Sequence, residues 1–442
     1  MMTRHFNHIT RGLMIASISL VAMSYAAVKS NQVSMVDRQN QDLATIVPPP
    51  DPNAVVNLVA VGDIMIGSLF PSKDFLPKDD AKHSFDAVLP FLKGDVVFGN
   101  LEGSLIDNGT SSKCPPAAIN NPPNKAGNNA ASYLTAAPTQ PTKTTTSSTK
   151  AQTSDKTSDK LSDKPSDSPP PRTCYAFGMP TRYAQVIKDA GFNLVSIANN
   201  HVGDFGDAGR ASTSSTLDKV GIYHAGLLSK PTTTFTVNGI KYGFVAFAPN
   251  IGTVSINDID NAKKLVKELN KKVDIVIVYM HGGGEGADNT HVPKTDELYL
   301  NENRGNVYAF AHTMIDNGAD VVLGSGPHVT RAMEVYKNKI IAYSLGNFNT
   351  YGAFNLKGVA GISPILNISL AKNGDFVFAN VTSSKQSKEN GLQLDNTHQA
   401  FNELKCLTQA DFPETPLEFK NHMVTLKSAS ANSALSTSEA KP

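Results

Sequence analysis

Tryptophan is absent from this 442-residue chain, so its aromatic core rests on 20 Phe and 12 Tyr. Cysteine occurs only three times, which allows one intramolecular disulfide with a thiol left over. Neither sign of charge is in excess: 40 Lys and Arg face 39 Asp and Glu, for a formal net charge of +1. Such a balance lacks the basic footprint of a nucleic-acid binder, and nucleic acid is excluded as a partner. Long apolar runs are missing as well. Residues 13–23 (LMIASISLVAM) fall short of the ~20 residues that a membrane helix needs.

That short run follows MMTRHFNHITRG, which carries Arg4 and Arg11 and no acid, and precedes the small residues SYAA at 24–27. Residues 1–27 therefore read as a secretory signal peptide or an N-terminal anchor. Both readings put the rest of the chain outside the cytoplasm, in the periplasm or cell envelope. Residues 28–52 lack periodicity and end near Pro48-Pro49-Pro50, as an extended tether does. A folded domain is expected over 53–384. Within it, residues 111–172 turn to Thr, Ser, Pro, Lys and Asn with a repeated Ser-Asp-Lys, too polar to offset ordering entropy, so a disordered insertion is expected. Cys114 and Cys174 flank it; they either pair across its base or stay free, and Cys406 is left over. Residues 385–442 read as a polar, partly disordered C-terminal extension.

Elsewhere one pattern recurs: an apolar β-rich run, an abrupt polar or glycine turn, then helical spacing. The runs are 55–61, 96–98, 194–198, 275–280, 321–323 and 340–345; helical spacing occupies 85–92, 181–190, 259–272 and 307–316. Continuous apolar strands alternating with helices imply an α/β fold with buried sheets and helices outside. Alternation at 362–370 and 375–381 around Lys372-Asn373-Gly374-Asp375 predicts a terminal hairpin.

Each run ends on chemistry. Asp63, Asn100, Glu102, Asn200, His201, His281 and His328 all follow a strand, and the carboxyl ends of strands are where open α/β sheets bind ligands. Singly, these residues are ordinary turn or hydrogen-bonding residues. Together, carboxylate, amide and imidazole donors are a mix suited to a divalent metal such as Mn, Fe or Zn. Ser325 sits in Gly-Ser-Gly but lacks the frame and helix of a nucleophile elbow. His291, His224 and His312 read respectively as solvated, hydrogen-bonding and structural.

The ordered set VGDIM (61–65), NLEG (100–103), ANNH (198–201) with Asp204 and Gly206, HGG (281–283), GADVV (318–322), GSGPHV (324–329) and SLGNF (344–348) resembles the CapA family. These are poly-gamma-glutamate capsule-synthesis proteins within the calcineurin-like metallophosphatase superfamily. The resemblance covers residues 57–352 apart from the insertion. It implies a four-layer α/β sandwich of the metallo-dependent phosphatase type with a metal site at one edge. It further implies Asp63 as a ligand, Glu102 as a bridging carboxylate, Asn200 as an amide ligand, and His281 and His328 as imidazole ligands. His201, with Asp204, would act as acid or transition-state donor, while Asn100, Glu285, Ser325 and Asn347 would line the site, Glu285 as an orienter of His281.

Two departures accompany the matches. Met65 stands where the superfamily has a histidine, and reads as a core residue. Gly326 stands where the family has the first histidine of His-Pro-His, which removes one imidazole. Five donors shared between two ions that each want four to six imply one tightly held ion, with a second weak or absent. The resemblance thus implies an exported protein of capsule-polymer synthesis, acting as a metal-dependent hydrolase or transferase. The other reading is a non-catalytic accessory subunit that binds the anionic polymer or a membrane-bound synthase or ligase.

Overall fold

The computed structural model describes residues 56–114, 174–352 and 354–427. The expected signal or anchor, the tether, most of the insertion and the end of the C-terminal extension lie outside the described residues. No helix among the described residues is long and apolar enough to cross a membrane.

Two sheets form the centre. The first has ten strands, and its main path runs Leu417–Lys420, Met423–Leu426, Phe376–Ser387, Ile362–Leu370, Val56–Met65, Val96–Leu101, Leu194–Ser196, Tyr223–Ala225. Asn347–Thr350 also pairs with the end of Val56–Met65. The second sheet has six strands in the order Met333–Tyr336, Lys339–Ala342, Val321–Ser325, Ile275–His281, Ile240–Phe247, Thr232–Val237.

Alternate side chains of these strands enter different cores, as the two-residue strand period requires. Leu58, Ala60, Phe98 and Leu194 of the first sheet pack with Phe244, Ala246, Ile277, Tyr279 and Leu323 of the second. Val59, Val61, Val97 and Val195 point the other way, joining Ala184 and Ile187 of helix Tyr183–Asp189 and Leu217 of helix Gly206–Val220. On the far side, Val245, Phe247, Val276, Val278 and Val322 meet helices Ile259–Asn270 and Val307–Asp316. Helix, sheet, sheet, helix is the expected four-layer α/β sandwich.

Three elements differ from the sequence reading. Residues 85–92 form turns and a short 3-10 helix at Leu89–Phe91, because Pro90 removes a donor and its ring clashes with a regular helical turn. Helix Gly206–Val220 carries no apolar stripe in its sequence; it buries Gly209, Thr213 and Thr216 with one Leu. The proposed boundary at 384/385 falls inside strand Phe376–Ser387, and ordered structure continues through helix Gln399–Asp411 to strand Met423–Leu426. Short alternating strands beside polar turns made that region look like an extension.

Phe98 joins the two sheets, its ring 5.7 Å from Phe244 and 5.5 Å from Tyr279. Phe98→Ala should lower the free energy of unfolding by about 3–5 kcal/mol in a urea titration. A loss under about 1 kcal/mol would show that these rings do not hold the sheets together.

Candidate functional site

Parallel pairing aligns the strand ends. Asp63 sits opposite Asn100 on one neighbour and Asn347 on the other, and the register shifts at Asp63 on both sides. In the second sheet Ser325 lies opposite His281. The strand ends thus bring Asp63, Asn100, Asn347, Ser325 and His281 to one edge of the sandwich.

Asp63, Glu102 and His328 come together, with one ligand atom of each within 4.8 Å of the others. Both acids are fully buried. Asp63 Oδ1 accepts from Asn100 Nδ2 at 2.9 Å and Ser325 Oγ at 2.6 Å, while Oδ2 lies 3.0 Å from His328 Nδ1. His328 Nε2 lies 3.5 Å from Glu102 Oε1. Asn347 is also part of this group, its Oδ1 3.2 Å from His328 Nδ1 and its Nδ2 donating to the His328 carbonyl. The His328 backbone is left-handed at φ 59°, a conformation uncommon for a non-glycine residue. Burial opposes charge on this imidazole, yet Glu102 and Asp63 raise its pKa to about 10. Burial, with the Asp63 charge, pushes the Glu102 carboxyl well above its ordinary range. The His328 ring thus bridges the two buried acids.

Of the residues expected to be ligands, three have a potential donor atom that is buried without a hydrogen-bond partner: Glu102 Oε1, Asn200 Oδ1 and His281 Nε2. Burying such atoms unpaired costs about 1–3 kcal/mol each, and all three belong to the expected ligand set. Burial and then Arg304 depress the His281 pKa well below normal, which keeps the ring in the neutral form a metal takes. His281 Nδ1 faces the Tyr279 hydroxyl at 3.2 Å. Tyr279, rather than Glu285, thus orients this ring; Glu285 is drawn to Arg304 Nη2 at 3.1 Å. These orphaned atoms and the acid-imidazole cluster fit a divalent cation.

His201 belongs to a second group. Its Nδ1 lies 2.6 Å from Asp204 Oδ2, its ring stacks on Phe177 with centroids 4.0 Å apart, and its backbone N–H donates to Asn199 Oδ1. Asn199 Nδ2 in turn donates to Asn100 Oδ1 and the Leu101 carbonyl, so the two groups share a frame. Burial lowers the His201 pKa. Burial also opposes charge on Asp204, but His201 and Lys113 hold its pKa below the usual carboxylate value. Sequence reasoning passed over Lys113, Phe177, Asn199, Tyr279 and Arg304. Lys113 falls inside the insertion expected to be disordered, whose first residues 111–114 are instead docked on Asp204, and Phe177 lies just past it. Tyr279 reads as strand filler, and only Asn199, in Asn-Asn-His, carried a usable signal.

The loop after His281 is wrapped around two buried arginines. Arg331 makes a bidentate pair with Glu297 at 2.9 and 2.8 Å, and Glu297 also accepts from the Gly284 N–H. Arg304 pairs with Glu302 as well as Glu285. Gly326 lies against this loop at φ 118°, where a Cβ would meet Gly282 O at 2.8 Å and Gly282 N at 2.9 Å. The other histidines behave as read. His224 bonds Ser214 and the Ile222 carbonyl, His312 meets Glu334, and the exposed His291 pairs with Asp411.

A four-layer α/β sandwich with carboxylate and imidazole side chains at its strand edge is a metallophosphatase-like fold. Residues 161–351 match the family model for bacterial capsule synthesis protein PGA_cap. The chain is 32% identical over 183 residues to the capsule biosynthesis protein CapA of Bacillus anthracis, covering 37% of this chain and 41% of that protein. It is 31% identical over 180 residues to the PGA biosynthesis protein CapA of Bacillus subtilis, covering 37% and 44%. The match thus spans about two fifths of the length of these relatives. Among solved structures, a hypothetical protein from Thermus thermophilus aligns with TM-score 0.39 and 13% identity over 75% of this chain and all of that one. Over this matched part, the chain is similar to the CapA-type capsule-synthesis proteins.

Gly326 shows that the missing imidazole is not a simple deletion. Gly326→His should cost about 1–3 kcal/mol from the strained backbone alone, and the crowding by Gly282 adds to that. The expected result is a lower Tm with no gain in bound metal. A second equivalent of ion at unchanged Tm would contradict this account.

Proposed function

We propose that this protein is an exported, metal-dependent hydrolase or transferase that acts on a phosphoester or amide linkage during assembly or export of a poly-gamma-glutamate-type capsule polymer. The observation that carries this reading is the cluster of Asp63, Glu102 and His328, supported by the unpartnered donor atoms of Asn200 and His281. These five residues would hold a divalent ion, Mn, Fe or Zn, with one ion favoured over two. When bound, the ion supplies a Lewis acid and lowers the pKa of a coordinated water.

The chain's own residues do the rest. Asp204 holds His201 through Nδ1, which leaves Nε2 for the substrate. An imidazole whose pKa is lowered by burial gives up a proton readily once charged, so His201 is suited to protonate a leaving oxygen. Asn100 and Ser325 fix the Asp63 carboxylate by donating to Oδ1. Tyr279 fixes the His281 ring.

A second reading is a non-catalytic accessory subunit that uses this edge to bind the anionic polymer or a membrane-bound synthase. Gly326 favours it, because the backbone there leaves no room for the further imidazole. One relative, from Mycobacterium tuberculosis and 29% identical over 181 residues, is named a probable polyglutamine synthesis accessory protein.

Metal content of the purified protein, followed by hydrolysis of aryl phosphates and glutamyl polymers, separates the two. On the enzymatic reading, wild type binds a divalent ion and turns over a substrate, whereas Asp63→Asn and His328→Ala lose metal affinity on the order of a hundredfold. Absence of metal and turnover in wild type, with capsule still made in cells carrying Asp63→Asn, would leave only the accessory role.

A further inference from the structure

The Cys114–Cys174 disulfide joins residues 60 apart in sequence. Its two arms both end at the His201–Asp204 pair. On one arm, Lys113 Nζ lies 3.1 Å from Asp204 Oδ1, 3.4 Å from His201 Nδ1 and 3.4 Å from the Asn200 carbonyl. On the other arm, three residues past Cys174, the Phe177 N–H donates to Asp204 Oδ2 at 2.8 Å and its ring covers His201. The first arm is docked by its backbone as well. Ser112 N–H donates to the Asp204 carbonyl at 2.9 Å, Ser111 Oγ donates to the same carbonyl, and Cys114 N–H donates back to Ser111 Oγ.

We propose that this disulfide is a positioning clamp for the candidate site: it holds Lys113 and Phe177 on either side of the His201–Asp204 pair and so fixes the direction in which His201 presents its proton. The inference rests on His201 as proton carrier in the reading above. Lys113 is a positioning residue and not a substrate contact, because its ammonium already faces a carboxylate, a carbonyl and a ring nitrogen inside the loop. Asp204 is a buried acid whose Oδ2 serves both His201 and the Phe177 amide. Lys113 is the ammonium that faces its Oδ1, an atom without a hydrogen-bond partner among the described residues. Without the ammonium that oxygen would be buried with no cation facing it, and the carboxylate would be held only through Oδ2. A lysine has four side-chain torsions to restrain, and anchoring the backbone at the adjacent residue lowers the entropic cost of holding it there.

The test uses the full chain as wild type, Lys113→Met, Lys113→Arg, the double variant Cys114→Ser with Cys174→Ser, and the triple variant combining the serines with Lys113→Met. Three quantities are read: bound metal, kcat and KM for an aryl phosphate, and the His201 imidazole signals in a proton–nitrogen NMR spectrum. Lys113→Met should lower kcat by about ten- to a hundredfold, leave KM and metal content unchanged, and move the His201 signals; Lys113→Arg should recover most of the loss. The double serine variant should lose as much, and the triple variant no more than either. A double serine variant with a lower Tm but wild-type kcat and His201 signals would overturn the clamp, as would losses that multiply in the triple variant. If wild type hydrolyses nothing while Lys113→Met and the serine variant shift the His201 signals alike, the clamp stands and the enzymatic reading falls. If the serine variant does not fold, Lys113→Met with unmoved His201 signals would still overturn it.

Discussion

Two acids, Asp63 and Glu102, are buried completely at one edge of the sandwich, close enough that one oxygen of each shares a 4.8 Å group with His328. A pair of like charges about 4 Å apart repels by on the order of 4 kcal/mol at an effective dielectric of about 20, before any cost of leaving water. Something positive must therefore sit between them, or one must keep its proton. His328 meets that demand by bridging from Asp63 Oδ2 to Glu102 Oε1, and its left-handed backbone is the conformation that delivers the ring there. Other features at this edge follow from the same constraint. Asn100 and Ser325 share the Asp63 lone pairs, Asn347 braces His328, and the register shifts at Asp63 on both flanking strands.

The two-sheet architecture makes such a cluster sustainable. Phe98, Phe244 and Tyr279 interlock between the sheets, and that apolar layer fixes the relative position of strand ends contributed by both. Asp63 and Glu102 come from the first sheet; His281, Ser325 and His328 come from the second or the turn beyond it. A donor set split between two sheets stays aligned only if the sheets do not slide. The hydrophobic core thus sets the geometry of the polar edge.

How much of this was legible in the sequence depends on what the chain repeats. Strand-then-turn punctuation placed Asp63, Glu102, Asn200, His281 and His328 at strand ends, since an apolar run that stops at Gly-Asp or Asn-Asn-His shows both its strand and its functional tip. The structure brings Asp63, Glu102 and His328 into one group and leaves donor atoms of Asn200 and His281 unpartnered. Helix Gly206–Val220 was invisible because it packs through Gly209, Thr213 and Thr216, where small size rather than hydrophobicity permits close approach. Partners that are long-range in sequence were beyond reach in principle. Nothing local to Glu285 says that Arg304 will take it, and nothing local to Lys113 says that it will meet Asp204, far along in the chain.

Gly326 connects these features. In the sequence it reads as a loss, an imidazole replaced by a hydrogen atom. In the fold its positive φ and the Gly282 backbone against its Cα show that the loop after His281 occupies the space a side chain would need. That loop is held from behind by Arg331 on Glu297 and by Arg304 between Glu285 and Glu302. The same ion pairs that close off the second imidazole keep Glu285 away from His281 and leave orientation of that ring to Tyr279. Arg304 in turn favours neutral His281, the state in which its unpartnered Nε2 has a lone pair to offer. The packing against Gly326 is therefore one arrangement spread over residues 282–331. It leaves no room for a side chain at residue 326 on one side of the edge while keeping His281 neutral, with an unpartnered Nε2, on the other.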